Sequence, residues 1–395
     1  MSDLHLDSLE IKNFRCFEHL VIEKLGRVNL IVGKNSVGKT CLLEALLVYA
    51  TNANFSVIQK LLTDRGELNL HFVRDNPIIF GKTIPWGSEF ANPIIMHQVA
   101  KSLRHIFHDR KLLANQTEAS IQLNHTNITL KLLAESIKSP SKQIQLEQLD
   151  VESLSLLDDI IQNDIHFTWQ NTKKGSYVYN REPISPIALF PEDQLDIVIK
   201  NKLRESNTLF VPHKGLSRQD MQGLWSSISL RPAEDQVIHA MRSIAESIER
   251  MNFIGEVESD GSEKYPMVKI KETLEPVPLG QLGEGVSRAM GISLALTNTS
   301  NGFLLIDEFE TGLHHSVQTD IWRMIFETAK RLNIQVFATT HSWDCVEAFQ
   351  AVAAEDQNEE AMLIRLTRRK SGQIKAVLYS EEEQAIVTEQ NIEVR

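Results

Sequence analysis

The alternation of apolar and polar residues predicts two strands and a helix at the start of the chain. Residues 6–14 alternate with the two-residue period of a half-buried strand. Residues 28–32 form a short run rich in β-branched side chains, which is typical of a buried strand. A glycine-containing turn follows, and the apolar stretch 40–49 suits a helix. We therefore expect the order strand, strand, loop, helix.

The middle of the chain, residues 51–206, carries the pattern of antiparallel strands with helical segments between them. Apolar residues alternate with polar ones around 121–123 and 128–130. Residues 165–169 are expected to pair with 177–179 across a Lys-Lys-Gly-Ser turn. Helices are expected at 96–113 and 151–161.

From residue 279 onward, strands and helices alternate regularly, after a run of helical period at 233–251. Continuous apolar strands that alternate with helices indicate a parallel sheet covered on both faces, so the predicted fold class is α/β. The expected elements are helix 285–298, strand 303–306, helix 315–332, strand 334–338, helix 342–354 and two strands within 361–379.

Composition narrows the class of protein. The 395 residues are enough for two or three lobes, each with a core of its own. No apolar run approaches the roughly 20 residues of a membrane span, and no secretory signal is evident. The three cysteines show no metal-ligand spacing. A reduced, cytoplasmic compartment without membrane attachment is expected. The net charge of −11 disfavours steering of nucleic acid towards the protein.

A phosphate-binding motif stands between the strand at 28–32 and the helix at 40–49. It matches G-x-x-x-x-G-K-[ST], in the strand-to-helix context that the motif requires. Glycines suit it because the backbone N–H groups must turn inward to hold phosphate oxygens. The lysine is expected to neutralise phosphate charge, and the threonine to ligate Mg²⁺. The motif consists of Gly33, Lys34, Asn35, Ser36, Val37, Gly38, Lys39 and Thr40.

Two later segments complete the expected site. Asp307 and Glu308 follow the apolar residues 303–306, at the strand end where ligands bind in open α/β sheets. We expect Asp307 to act on Mg²⁺ and Glu308 to polarise the attacking water. His341, which follows the strand at 334–338, is the expected γ-phosphate sensor. Taken alone, the acid pair is also compatible with a solvated helix cap, and the histidine with capping of the next helix. The catalytic candidates are therefore Lys39, Glu308 and His341.

These residues resemble those of the ABC-type ATPases of the RecF/SMC/OLD-like branch (AAA_15- and AAA_21-like). The segment I-K-N-F-R-C-F at residues 11–17 is similar to the I-x-N-F-R-x-F opening of these proteins. Asn35 matches the asparagine of their phosphate-binding loop, G-x-N-x-x-G-K-[ST]. Lys39 and Asp307 are 268 positions apart, farther than in transporter subunits of the ABC class. The resemblance implies ATP and Mg²⁺ as cofactors, and Arg15 as a further nucleotide contact.

The resemblance also implies an architecture. The implied architecture is an ABC-type ATPase head with a mostly parallel core sheet, an antiparallel β subdomain and a helical lobe that carries a signature motif. We expect an N-terminal half of the ATPase lobe at 1–206, the helical lobe at 207–300 and the C-terminal half at 301–395.

The expected signature motif departs from the family pattern L-S-G-G-Q. Gly283 stands where the family has serine, and Gly285 follows in the same stretch. The contact with the nucleotide of the opposite subunit would therefore rest on backbone N–H groups, with Ser287 or Arg288 helping. Residues 310–314 stand at the position of the family's D-loop. His213 stands where a Q-loop glutamine is expected.

The resemblance implies a dimer, or a higher oligomer, that sandwiches ATP between subunits and acts as a switch. The favoured function is regulation of a separate nuclease-type (TOPRIM) effector in prokaryotic phage defence. The 54 residues after His341 contain no acidic D-x-D constellation and have no room for such a nuclease, so we expect a stand-alone ATPase. The alternatives are a RecF-like ATPase that binds DNA in repair, and a nucleotide-binding structural subunit with little turnover. A transporter subunit is disfavoured.

Overall fold

The computed structural model divides the chain into two compact units. The first unit contains residues 1–8, 22–43 and 204–395, and the second contains 9–21 and 44–203. The predicted division at residues 206 and 300 stays a prediction. The structure describes residues 4–51, 54–68, 71–73, 76–79, 82–83, 102, 104–108, 117–123, 126–134, 165–173, 176–183, 203, 205–255, 264–271, 273–355 and 361–379.

The described strands are β1 (Leu9–Phe14), β2 (Phe17–Ile22), β3 (Val28–Val32), β4 (His71–Val73), β5 (Asn76–Ile79), β6 (Lys82–Thr83), β7 (Thr117–Leu123), β8 (Thr126–Ala134), β9 (Ile165–Lys173), β10 (Ser176–Pro183), β11 (Thr208–Val211), β12 (Ile248–Ile254), β13 (Tyr265–Ile270), β14 (Val277–Pro278), β15 (Gly302–Ile306), β16 (Ile334–Thr339), β17 (Ala361–Arg368) and β18 (Ile374–Tyr379). The described helices are α1 (Lys39–Ala50), α2 (Phe55–Asp64), α3 (Arg218–Ile228), α4 (Pro232–Arg242), α5 (Glu284–Asn298), α6 (His315–Leu332) and α7 (Trp343–Glu355).

A mostly parallel sheet forms the centre of the first unit. Its strand order is β11-β15-β16-β3-β17-β18, and only the edge pair β17–β18 is antiparallel. Every residue of β3 and β16 is buried, because helices cover the sheet. Phe309 stacks on Trp322 of α6 with ring centroids 4.1 Å apart, and Phe349 of α7 meets the same indole edge-on. The predicted α/β class is confirmed.

A helical lobe in the first unit packs α3, α4 and α5 against the small sheet β12-β13-β14. The helix predicted at 233–251 is wrong in its second half, since α4 ends at Arg242 and β12 begins at Ile248. The Arg242 guanidinium donates hydrogen bonds to the carbonyls of Ile248 and Glu249, which holds the chain reversal. Within β12, Met251 and Phe253 are buried on one face, a two-residue period that the helical pattern obscured.

The second unit contains an antiparallel sheet with the order β10-β9-β8-β7-β1-β2 and a smaller sheet β4-β5-β6. The predicted hairpin is confirmed, but its register differs from the expected pairing: Tyr177 lies opposite Thr172, and Trp169 lies opposite Asn180. The first strand is shorter than predicted and begins at Leu9, because the Leu6 backbone N–H donates to the Gln335 side chain within the first unit. The helix expected at 151–161 lies outside the described residues. Of the helix expected at 96–113, the structure describes a 3₁₀ turn at Arg104–Ile106.

None of the helices that the structure describes is both long enough and apolar enough to cross a lipid bilayer.

Candidate active site

The glycine-containing loop at 33–38 leaves the carboxyl end of β3 and enters α1. Gly33 and Gly38 have φ angles of 144° and 105°, in the region that favours glycine. A Cβ atom on Gly33 would lie 2.6 Å from the Leu366 carbonyl oxygen and 2.9 Å from the Val37 side chain. Only glycine therefore fits at position 33, and the loop forms a tight backbone cradle.

The Lys39 side chain is buried over this loop. Its ammonium group donates hydrogen bonds to the carbonyls of Gly33, at 2.7 Å, and Lys34, at 3.3 Å. Burial lowers the pKa of Lys39, and the nearby carboxylates of Glu310 and Glu308 oppose that shift. The Lys39 ammonium is thus held inside the loop, close to the acidic residues that follow β15.

Asp307 follows β15 directly and is buried, with 4% of its surface exposed. The Thr40 hydroxyl lies 3.2 Å from Asp307 Oδ2, and the Thr339 hydroxyl donates to Asp307 Oδ1 at 2.7 Å. Asp307 directly follows β15 and Thr339 ends β16, whereas Thr40 lies in the first turn of α1, which the glycine-containing loop joins to β3. The three side chains therefore meet at the carboxyl ends of the neighbouring parallel strands β15, β16 and β3. Hydroxyl and carboxylate oxygens are the ligands that Mg²⁺ prefers. Together with the glycine-containing loop and the buried Lys39 ammonium, this donor set fits a magnesium-bound triphosphate.

Glu308 occupies a left-handed backbone conformation, with φ of 48°, which is uncommon for a residue with a side chain. Its backbone N–H donates to the Thr339 hydroxyl oxygen at 2.9 Å, and its carbonyl accepts from the Arg288 guanidinium at 2.9 Å. These two bonds hold the residue in its unusual geometry. The Glu308 carboxylate is half-buried beside Asp307.

Arg288 points into the first unit. Its guanidinium donates to the carbonyls of Pro212 at 2.7 Å, Asp307 at 2.8 Å and Glu308 at 2.9 Å. The residue is 5% exposed, and burial lowers the pKa of its guanidinium. These carbonyls hold Arg288 within its own chain, and its expected part in a contact with an opposite subunit stays a prediction. Arg288 links helix α5 to the acidic pair.

His341 lies at the same edge of the sheet and is half-exposed. Its backbone N–H donates to Glu310 Oε1 at 3.0 Å, and its Nδ1 lies 3.3 Å from the same oxygen. Glu310 was assigned from the sequence only to the D-loop segment. An acid two residues after the Asp-Glu pair was the signal that could have singled it out.

The two glycines of the signature stretch serve different structural needs. Gly283, just before α5, has φ of 94°, and no atom lies within 4 Å of a Cβ added there. Gly285 lies in the first turn of α5, and a Cβ there would lie 2.9 Å from the Gly312 carbonyl oxygen. Gly283 is therefore exposed at the start of a helix, whereas Gly285 allows close packing on the D-loop segment.

Arg15 is held by carboxylates of the second unit. Its side chain is 3% exposed, and its guanidinium forms ion pairs with Glu44, at 3.0 Å, and Glu67. It also donates to the His105 carbonyl. The expected role of Arg15 as a nucleotide contact stays a prediction.

His213 is exposed in the turn after β11. Because β11 is the parallel neighbour of β15, this turn lies at the sheet edge that carries Asp307. The Asp307 backbone N–H donates a hydrogen bond to the carbonyl of Val211, the last residue of β11. The location is compatible with a Q-loop, whereas the role expected of His213 stays a prediction.

Comparison with known proteins places these features in a family. The AAA ATPase domain family (AAA_15) matches residues 5–346, a span that includes the loop at 33–40, the acidic pair and His341. An ATP/GTP phosphatase of Helicobacter pylori is 22% identical over 377 residues, which cover 89% of each chain. RecF of Listeria welshimeri is 47% identical over 47 residues, which cover 12% of this chain and 13% of RecF.

Among solved structures, the SMC head bound to the C-winged helix domain of ScpA is similar in outline. Its TM-score is 0.47 at 11% identity, and the alignment covers 96% of this chain and 99% of that one. Since the family match extends over most of the sequence and includes every segment of the candidate site at 33–40, 307–308 and 341, the chain belongs to the AAA_15 family of AAA ATPase domains.

Proposed function

We propose that this protein binds ATP with Mg²⁺ and hydrolyses it to ADP and phosphate. One observation carries the proposal: Thr40 and Asp307, 267 positions apart, meet at 3.2 Å beside a buried lysine. A chain gains little stability from bringing a buried lysine and an acidic pair together at a glycine cradle. A bound phosphate ligand explains the arrangement, because its negative charge complements both the loop and Lys39.

Each residue of the site has a role in this proposal. The backbone N–H groups of the loop and the Lys39 ammonium would hold the β- and γ-phosphates. Thr40 and Asp307 would hold Mg²⁺, which supplies neutralisation of phosphate charge when bound. The Glu308 carboxylate would orient a water for attack and accept its proton. His341 would contact the γ-phosphate.

The proposed working unit is a homodimer, or a higher oligomer, that encloses ATP between subunits. The exposed Gly283 and the N-terminus of α5 would present backbone N–H groups to the γ-phosphate bound by the partner subunit. ATP binding would close the dimer and hydrolysis would reopen it, so that the protein works as a switch. We propose that the switch acts in the cytoplasm on a separate nuclease-type effector in prokaryotic phage defence. The support for this last step is the sequence resemblance to the OLD-like branch.

A second candidate function is that of a DNA-binding ATPase in repair. The segment of 47 residues that is 47% identical to RecF favours it. The net charge of −11 opposes direct binding to duplex DNA, since contacts with phosphates depend on basic surface.

An ATPase assay on the purified chain tests both proposals. Phosphate release should require Mg²⁺, and the rate per subunit should rise with protein concentration, because two chains complete each site. Duplex DNA should leave the rate unchanged if the protein regulates an effector, whereas salt-sensitive stimulation would support the RecF-like function. Absence of turnover at every protein concentration, with ATP binding intact, would contradict the hydrolytic function.

A further inference from the structure

The carboxylate of Glu310 contacts His341 through a single oxygen. Glu310 Oε1 accepts the His341 backbone N–H at 3.0 Å and lies 3.3 Å from Nδ1 of its ring. The Glu310 side chain is 12% exposed, whereas that of His341 is 44% exposed. A mostly buried acid therefore supports a histidine whose ring reaches solvent.

The surroundings of Glu310 keep its carboxylate in place. For both buried cations of the site, Lys39 and Arg288, Glu310 is the carboxylate that most strongly opposes the effect of burial on the pKa. Glu310 Oε2 is buried and has no hydrogen-bond partner within the described residues. Glu310 therefore interacts electrostatically with both buried cations, and its one partnered oxygen is directed at His341.

We propose that Glu310 is the positioning residue of His341. Its Oε1 accepts the proton on Nδ1, which fixes the tautomer and the direction of the ring and leaves Nε2 as the nitrogen for the γ-phosphate. The partner of one ring nitrogen commonly fixes the tautomer and the orientation of a histidine whose other nitrogen binds. The inference rests on the proposed ATPase function, and it assigns to Glu310 a task distinct from that of Glu308.

The geometry explains why Glu310 acts through His341 and not directly on the nucleotide. The oxygen that has partners is directed at the backbone and ring of the histidine. Glu308, by contrast, directly follows the Asp307 carboxylate that meets Thr40. Removal of Glu310 should therefore affect catalysis only as far as His341 contributes to it.

A double-mutant cycle tests this dependence. Glu310→Ala and His341→Ala should each lower kcat by roughly tenfold or more, as loss of an orienting partner does, with little change in KM. The double variant should be no slower than His341→Ala alone. Multiplication of the two effects in the double variant would overturn the proposal, because Glu310 would then act independently.

Glu310→Gln separates geometry from charge. The amide retains an oxygen that can accept from both the backbone N–H and Nδ1, so we expect kcat within about threefold of wild type. An activity as low as that of Glu310→Ala would contradict positioning through Oε1. Glu327→Ala, at an exposed position on α6, is the matched control and should leave kcat unchanged.

Nitrogen NMR of the histidine rings gives a readout that needs no turnover. The signals that disappear in His341→Ala belong to this residue, and they should show the proton on Nδ1 in the wild type. In Glu310→Ala they should move towards a mixture of tautomers. A wild-type ring with its proton on Nε2 would overturn the proposal even in an active enzyme. An inactive wild type with the Nδ1 proton would refute only the ATPase function.

Discussion

The Thr40 hydroxyl lies 3.2 Å from Oδ2 of Asp307, although Thr40 belongs to the helix after β3, Asp307 follows β15, and β16 lies between these two strands in the sheet. Thr339, at the end of the intervening strand β16, contacts the acidic pair. Its hydroxyl donates to Asp307 Oδ1 and accepts a hydrogen bond from the Glu308 backbone N–H. Two parallel strands and the helix that follows a third thus bring Asp307, Thr339 and Thr40 together at the carboxyl end of the sheet.

Lys39→Ala should lose most of its ATP affinity. A hydrogen bond to a charged phosphate contributes about 1.5–3 kcal/mol, which corresponds to a roughly ten- to hundredfold rise in Kd. Titration with a fluorescent ATP analogue measures the change. Lys330→Ala is the matched control, since that side chain is exposed in the last turn of α6, outside the site. Equal losses in both variants would show that Lys39 has no special place in the site.

Glu308→Gln should bind ATP but not turn it over. Without a carboxylate to accept the proton of the attacking water, kcat should fall by about 10²- to 10⁴-fold. The ATP-bound variant should then accumulate as a closed dimer, which light scattering after size-exclusion chromatography measures with and without Mg·ATP. Glu327→Gln, on the exposed face of α6, serves as the control. Turnover at the wild-type rate would mean that Glu308 is misassigned.

Arg288→Lys should destabilise the first unit and slow hydrolysis, although the charge is kept. A single ammonium cannot span the carbonyls of Pro212, Asp307 and Glu308 as the planar guanidinium does. We expect a loss of about 2–4 kcal/mol in the free energy of unfolding in urea. Arg331→Lys, at an exposed site of α6, should change little. Unchanged stability and kcat in Arg288→Lys would contradict the structural role given to these hydrogen bonds.

Arg15→Ala should destabilise the second unit, most strongly at neutral pH. Burial raises the pKa of Glu44, and Arg15 and Arg65 oppose that shift. Without Arg15, the buried Glu44 carboxylate loses one of its two positively charged partners, which should lower the free energy of unfolding by about 3 kcal/mol. The folded state then takes up a proton more readily than the unfolded state does. The cost should therefore be largest above the raised pKa and shrink as pH falls towards 4.5, the ordinary value for Glu44.

Urea unfolding of Arg15→Ala at pH 7 and pH 5 measures this dependence. Lys12→Ala removes an exposed ion pair with Glu10 from the same part of the chain, and it should cost less than about 1 kcal/mol at either pH. A destabilisation of Arg15→Ala that is equal at both pH values would show that Glu44 does not carry the effect.

The sequence by itself determined the local elements and the chemistry of the motifs. Helix α6 has the predicted bounds, 315–332, because its apolar residues recur with a clear helical period. The loop at 33–40 was predicted with its strand and helix, since the need for glycine at Gly33 and Gly38 is a local property of the backbone. The order of strands and helices after residue 279 was sufficient to predict the parallel sheet.

Only the tertiary structure decided which side chains meet. The inward direction of Arg288, the ion pairs of Arg15 and the contact of Glu310 with His341 all join residues distant in the chain or separated by whole elements. A residue's period and neighbours encode its backbone conformation and the face it presents. Its partners depend on how several strands and helices pack, and no local pattern records that packing.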